Sequence, residues 1–580
     1  MKHIAFASLI ALAASATAAP ADDFKSLLAD HWQWWLSENP SSATIIGERA
    51  FDAKLEDVSI AAMDRSAAEA ARFRARLATI PKPALAPEYL VSADILDRLL
   101  ARQIEGNSFP ARTMLFTNRE GFHTGFASLP QQLPFFTRAD FDSYLTRLAA
   151  YPAMSDEAII TTRVAIKDGY TLPCVVLDGF EPGIRQIVEP GEKSRFYAPF
   201  ANRPATISEA DWAAMQARAK SLIDGQVNPA YIRFADFIRK DYLPTCSKTV
   251  GVSERPRGRE YYAYRARSET TTALTPDEIH AIGLSEVARI RAEMEVVAKK
   301  AGFPSREAYI AHLRSDPKYY AATPEALMEA ASRQAKIADG WMPRLFGKLP
   351  RLPYGLREIP ADIAPGTTTA FYQPGSASAG SAGTYYVNTS KLNERPLFEL
   401  PALTIHEAVP GHHHQIALAQ ELDIPDFRRH AAFFTAFVEG WGLYSERLGI
   451  EMGMYDTPAK DMGRLSYEMW RANRLVVDTG MHTLGWSRDK AIAYMLDNTA
   501  LSKANIEAEI NRYIAWPGQA LAYKIGELKI RELRTQAEKA LGTRFKIRDF
   551  HDMILESGAV PLDVLETKAR AWIAAEKAKK

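Results

Sequence analysis

A proline-glycine pair, Pro410-Gly411, interrupts an apolar helical run just after that run delivers His406-Glu407, and the chain resumes with His412-His413-His414. The approach through Leu397, Phe398, Leu400, Ala402, Leu403 and Ile405 reads as a buried helix, and Pro401 suits its first turn. Proline at 410 has no amide hydrogen for the His406 carbonyl and crowds it, so the helix must bulge or break there. Glycine supplies the freedom to fold back. The break matters because of the spacing. On a straight helix His406 and His412 lie ~9 Å apart along the axis, and His406 and His413 ~10.5 Å. Neither pair could easily share an ion at Zn–N distances of ~2.1 Å. The interruption is expected to bring His412 beside His406, with His413 as the alternative and His414 as a bystander. The competing reading is an exposed histidine tract that binds metal adventitiously.

Neutral imidazole is the commonest protein ligand for zinc, and a glutamate beside the first ligand is where a zinc hydrolase keeps its general base, here Glu407. A three-ligand site needs one more donor and an open position for water. The segment 431–444 is apolar on nearly every side, hence a buried helix, and a carboxylate inside it must be paired or bound to metal. Glu439 is therefore the expected third ligand, with Gly440 and Gly442 allowing close backbone approach. Glu446, on the same face, is the fallback or a partner to a ligand; pairing of Glu439 with a buried arginine is the competing account. Arg471, Arg474, Asp478 and His482 then form one polar stripe on a later helix. Asp478 is expected to orient a ligand histidine and His482 to face substrate, while the two arginines fit a structural ion-pair network equally well. Tyr513 and Tyr523, on either side of Pro517-Gly518, are candidate donors to an oxyanion, although plain packing is the commoner role for each.

Lys plus Arg is 71 and Asp plus Glu 70 over 580 residues, so no global field points to nucleic acid or to an anionic membrane surface. Lys2 and His3, the mostly apolar run Ile4 to Ala14 and the small residues to Ala19 read as a secretory leader cut after Ala18 or Ala19. No cysteine lies near the cut, so no lipid anchor is expected, and no later apolar run is long enough to span a bilayer. The mature protein is expected to be periplasmic or secreted. An oxidising compartment would allow the two cysteines, Cys174 and Cys246, to form one disulfide, but sequence does not supply the distance between them.

Along the chain, residues 22–150 read as helical, with Trp32, Trp34 and Trp35 joining the core. Residues 180–206 read as an irregular connection and 207–223 as a helix. Residues 260–267 partly alternate and predict a strand. Thr275, Pro276 and Glu278 predict a capped helix start running to about Lys300. Residues 375–383 contain only Gly, Ser and Ala, a mobile loop leading into the β-rich run at Tyr385-Tyr386-Val387-Asn388. From Pro401 onwards nearly everything reads as helix. The division expected is a leader at 1–18, an N-terminal helical lobe at 19–255 and a metal-binding lobe at 256–580.

The motifs at 406–413, 439–444 and 517–523 together resemble the bacterial family catalogued as domain of unknown function 885, over most of the mature chain. That pattern is in turn similar to helical zincin peptidases of the thimet oligopeptidase and Taq carboxypeptidase kinds. The two extra residues between His406 and His412 depart from the His-Glu-x-x-His helix of those enzymes. The resemblance implies a mainly α, two-lobed, zincin-like fold with a small β-sheet beside an active-site cleft. The expected activity is zinc-dependent hydrolysis of short peptides. His406, His412 and Glu439 would hold Zn2+, Glu407 would act as base, and His482 or Tyr523 would assist. The strand at 385–388 would pair with peptide as an edge strand, and the loop before it would close over the cleft. A zinc hydrolase of another amide or ester, or an inactive peptide-binding protein, are the alternatives.

Overall fold

Thr275 caps its helix in the manner its side chain predicts. Its hydroxyl accepts from the Glu278 amide at 3.3 Å, Glu278 accepts in return from the Thr275 amide at 2.8 Å, and the helix runs from Pro276 to Lys300. The same local chemistry starts Glu209–Leu222, where Ser208 accepts from the Asp211 amide. The computed structural model describes residues 20–361, 364, 367–377 and 380–579; the leader expected at 1–18 lies outside them. The protein is mainly helical with one small three-stranded sheet.

The helices that carry the argument are α1 (Gly258–Thr270), α2 (Pro276–Lys300), α3 (Leu400–Glu407), α4 (His412–Gln420), α5 (Thr435–Leu448), α6 (Pro458–Thr483), α7 (Lys503–Ala515) and α8 (Ala522–Leu541). The first of these corrects the strand expected at 260–267. Tyr262, Ala266 and Thr270 are all buried at steps of four, and Arg265 pairs with Glu269 one turn on. The apparent alternation was too short to distinguish period two from one face of a helix. Residues 180–206 are also more ordered than an irregular connection, opening with the helix Phe180–Gln186 and continuing in 3-10 turns.

Hydrophobic clusters run across residue 255. Trp32, Phe73 and Leu96 belong to the same cluster as Phe437, Trp441 and Tyr444, and Tyr144 and Tyr231 to the same cluster as Tyr385, Leu403 and Trp470. Trp32 is buried and stacks on Trp35 with ring centroids 5.1 Å apart; Trp35 and Trp34 are half-buried. A disulfide joins Cys174 to Cys246, with Cα atoms 5.0 Å apart.

The sheet consists of β1 (Tyr354–Glu358), β2 (Ala370–Gln373) and β3 (Gly383–Val387), in the order β1-β3-β2, with β3 parallel to β1 and antiparallel to β2. The β-rich run read from sequence is thus the central strand, not an edge. Both sides of its backbone are occupied, and Tyr385 and Val387 are buried. The outer strands are β1 and β2, and of the two β2 lines the main cavity. The Gly/Ser/Ala stretch joins β2 to β3, and Ser376 and Ser381 exchange backbone hydrogen bonds of 2.9 Å; none of its described residues lines the main cavity. Beneath the sheet, the Tyr385 hydroxyl lies 3.4 Å from Thr404 Oγ1, which seats β3 against α3.

Candidate metal centre

Every residue of α3 is buried. The helix stops at Glu407, where the Ala408 amide still donates to Thr404 O and the Gly411 amide reaches back to Ile405 O at 3.0 Å. A Cβ at position 411 would lie 1.9 Å from the His406 carbonyl oxygen, so only glycine permits this turn. The chain then starts α4 at His412. The His406 and His412 rings end 4.6 Å apart, nearly perpendicular at 84°.

The third group comes from α5. Trp441 Nε1–H donates to Pro410 O at 2.8 Å, pinning α5 to the turn. A Cβ at Gly442 would stand 2.7 Å from the His406 ring, so the imidazole rests on bare α5 backbone. Glu439 Oε2 lies 3.4 Å from His406 Nε2 and 3.3 Å from His412 Nε2. The three donor atoms all fall within 4.8 Å of one another, and Glu439 Oε2 has no hydrogen-bond partner. A tetrahedral ion with bonds of ~2.1 Å has ligand–ligand edges of about 3.4 Å. The donor set, two imidazoles and a carboxylate, fits a small cation such as zinc.

His406 is held from behind. Its Nδ1 lies 2.8 Å from Glu446 Oε1, which also takes Arg471 Nη2 at 2.9 Å. A proton on Nδ1 leaves the Nε2 lone pair for a metal. Arg471 is fixed by the faces of Tyr467 and Trp470, 4.7 and 4.6 Å from its guanidinium carbon. Burial by itself lowers the His406 pKa, but the neighbouring carboxylates of Glu439, Glu446 and Glu407 outweigh it and raise it to about 9. For Glu439, burial favours the neutral acid, and the adjacent His412 and His406 more than offset it, keeping the carboxylate well below its ordinary range.

These groups line a cavity of about 1480 Å³, wider than the ~300–1,000 Å³ of ordinary small-molecule pockets. Its wall also carries Glu407, Tyr523, the β2 segment from Thr369 to Tyr372, and Arg119 and Thr124 from the N-terminal half. Burial, then the charge of Glu439, raises the Tyr523 pKa, so its hydroxyl keeps the proton.

Several expected residues take other places. His482 does not line the cavity. It is fully buried, its Nδ1 accepts from the Val252 amide at 3.1 Å, its Nε2 lies 3.1 Å from Tyr513 O, and burial lowers its pKa to about 4. Both ring nitrogens are thus committed to backbone, and His482 is a structural link rather than a substrate contact. Asp478 does not orient a ligand histidine: it accepts from the Tyr262 hydroxyl and the Gly518 amide, and Glu446 takes the orienting role. The Tyr513 hydroxyl, receiving Trp470 Nε1 and Arg474 Nε and donating to Glu509, is unavailable to an oxyanion. His413 meets the Tyr372 hydroxyl at 3.0 Å and packs on Tyr354, so His412 is the histidine turned toward His406. His414 is no exposed bystander. It is completely buried against Phe346, with neither ring nitrogen hydrogen-bonded. Arg119 and β2 escaped sequence reasoning, because an isolated loop arginine and a four-residue strand carry no periodic signal.

The sequence model of a family described as bacterial protein of unknown function (DUF885) matches residues 40–568. No curated protein matches the chain. A solved structure described as the "putative lipoprotein" from Colwellia psychrerythraea superposes with a TM-score of 0.88 at 27% identity, covering 96% of this chain and 100% of its own. A second, described as a "putative lipoprotein of unknown function" from Shewanella oneidensis, has a TM-score of 0.68 at 18% identity over 95% and 99%, a likeness of fold.

Proposed function

The chain belongs to the DUF885 family of bacterial proteins of unknown function, and from that premise we propose that it is a zinc-dependent peptidase acting on short peptides. The observation that carries the proposal is the convergence of His406 Nε2, His412 Nε2 and Glu439 Oε2 on one point, with Glu407 adjacent, in the wall of a large cavity. When bound there, zinc supplies Lewis acidity toward the scissile carbonyl and lowers the pKa of water. Glu407 takes a proton from the attacking water and passes it to the leaving amine nitrogen as the C–N bond breaks. Tyr523 donates its hydroxyl hydrogen to the oxygen that becomes negative as the carbonyl carbon turns tetrahedral. Glu446 and Arg471 keep His406 in the tautomer and orientation that a metal requires. The open side of β2, which lines the cavity, pairs with the extended backbone of a peptide.

We also read the protein as exported, periplasmic or secreted. The disulfide suits an oxidising compartment, a similar solved protein is described as a "putative lipoprotein", and no described helix is long and apolar enough to cross a membrane. The test combines metal analysis of the purified protein with digestion of a peptide library. Glu407→Gln is expected to lower turnover by about 10²–10⁴-fold while zinc stays bound. Undiminished turnover in that variant removes Glu407 from the mechanism. Zinc-loaded wild-type protein that cleaves no peptide sinks the peptidase reading.

A further inference from the structure

Away from the metal-binding face the cavity wall changes character. Among the described residues that line it, seven are arginines, and none is a lysine or an aspartate. Three of those arginines, Arg119, Arg474 and Arg512, gather around a single carboxylate, Glu509, which is 2% exposed. Glu509 is already saturated. Arg512 holds it through Nε and Nη2 at 3.2 and 2.8 Å, Arg474 Nη2 at 3.0 Å, and the Tyr513 hydroxyl at 2.7 Å.

That leaves cationic capacity over. Arg119 forms no ion pair among the described residues; its Nη2 donates to Ala508 O at 3.1 Å. Arg474 is 3% exposed and its Nη1 has no acceptor. A buried guanidinium without its full complement of acceptors is costly, and the cost falls when an anion completes it. Arg474 is also immobilised, its guanidinium carbon 4.6 Å from the Trp470 ring and 4.1 Å from the Tyr523 ring, so little rotamer freedom is left to lose on binding. Tyr523 feels the charge of Glu439, so one phenol ring separates this surplus from the metal ligands.

We propose that Arg119 and Arg474 form a carboxylate-binding subsite, and that the substrates are peptides bearing a carboxylate close to the scissile bond. This deepens the peptidase reading and rests on it. The carboxylate has two chemical sources, a free C-terminus or an Asp or Glu side chain. Both present the planar, two-oxygen acceptor that guanidinium groups match.

The test uses full-length, zinc-loaded Glu407→Gln protein and titration calorimetry with three probes. These are acetyl-trialanine as the free acid, the same peptide as its C-terminal amide, and acetyl-Ala-Asp-Ala amide. A carboxylate-bearing probe is expected to bind at least about tenfold more tightly than the neutral amide, the size of one added charge-assisted interaction. Preference for the free acid assigns the subsite to the C-terminus, and preference for the aspartyl amide assigns it to a side chain. Adding Arg119→Gln should erase the preference while leaving affinity for the neutral amide unchanged, and Arg119→Lys should restore part of it. Equal binding of all three probes, or none, overturns the subsite without recourse to any Arg119 variant. A preference that persists when wild-type protein cleaves no peptide leaves the subsite standing and removes the peptidase reading. Cleavage of the neutral amide as fast as the acids does the reverse.

Discussion

Two clusters of charge, one joining α2, α6 and α8 and the other α3, α4 and α5, end in opposite states. In the first, Lys524 of α8 is fully buried and lies 2.9 Å from each of Glu286, Glu468 and Glu527. Arg289 also pairs with Glu286 and Glu468, and Arg531 pairs with Glu527 at 3.1 Å. Burial opposes the Lys524 charge, and the three carboxylates overcome it and raise its pKa. Here the chain supplies its own cation, and α2, α6 and α8 are locked together by it. In the second, Glu439 faces two imidazoles with no lysine or arginine among them, and Glu439 Oε2 and His412 Nδ1 lack hydrogen-bond partners. Burial is not what separates the clusters. The first is neutralised by lysine and arginine from the chain itself, whereas the second has the donors of a site that an outside cation would complete.

The sharpest way to break this contrast is to remove a donor from the open cluster. Glu439→Gln is expected to abolish stoichiometric zinc binding and peptide turnover while barely moving the unfolding transition of the zinc-free protein, read by metal analysis and thermal unfolding. An appreciable loss of zinc-free stability would make Glu439 a structural residue like Glu468. In the closed cluster the signs reverse. Lys524→Met removes the cation that Glu286, Glu468 and Glu527 share, leaving them only Arg289, Arg464 and Arg531, and should cost about 3–5 kcal/mol in denaturant unfolding, with zinc still bound by the fraction that folds.

Glu399 sharpens the comparison as a third fate for a buried carboxylate. It is 5% exposed, and its Oε1 has no hydrogen-bond partner. Burial pushes its pKa from 4.5 up to about 8, against the opposing pull of Arg314, Arg395 and Arg471. Neither cation nor open site satisfies it, so it keeps its proton. A raised acid pKa means that the folded state binds the proton more tightly. The stabilisation is therefore fully present below pH 4.5 and lost as pH rises through about 8. Glu399→Gln should flatten that slope and stabilise the protein at pH 8 by on the order of 2 kcal/mol, the smallest of the three effects. Parallel stability profiles for the two proteins between pH 4.5 and 8 would refute the assignment.

The convergence of His406, His412 and Glu439 was largely legible because its determinants are short-range. Pro410 and Gly411 break the helix through their own backbone chemistry, and a glutamate in an apolar helix must find a partner wherever that helix goes. The capped start at Thr275 is local in the same sense. His482 misled because a polar stripe at helical spacing says which groups share a face but not what that face meets; here it met the backbone of Val252 and Tyr513. The strand at 385–388 misled likewise, since composition identifies a strand and only its neighbours decide whether it is central.

Sequence alone determined the helix, its interruption and the kinds of donor on either side, because dihedral restriction and the cost of burying charge act within a few residues. Tertiary structure alone decided which buried polar groups would be completed by the chain and which left open. Arg119 reaches the carbonyl of Ala508 across 389 positions, and Lys524 finds Glu286 on another helix. Electrostatic completion depends on distance in space, and no local pattern in the chain encodes it.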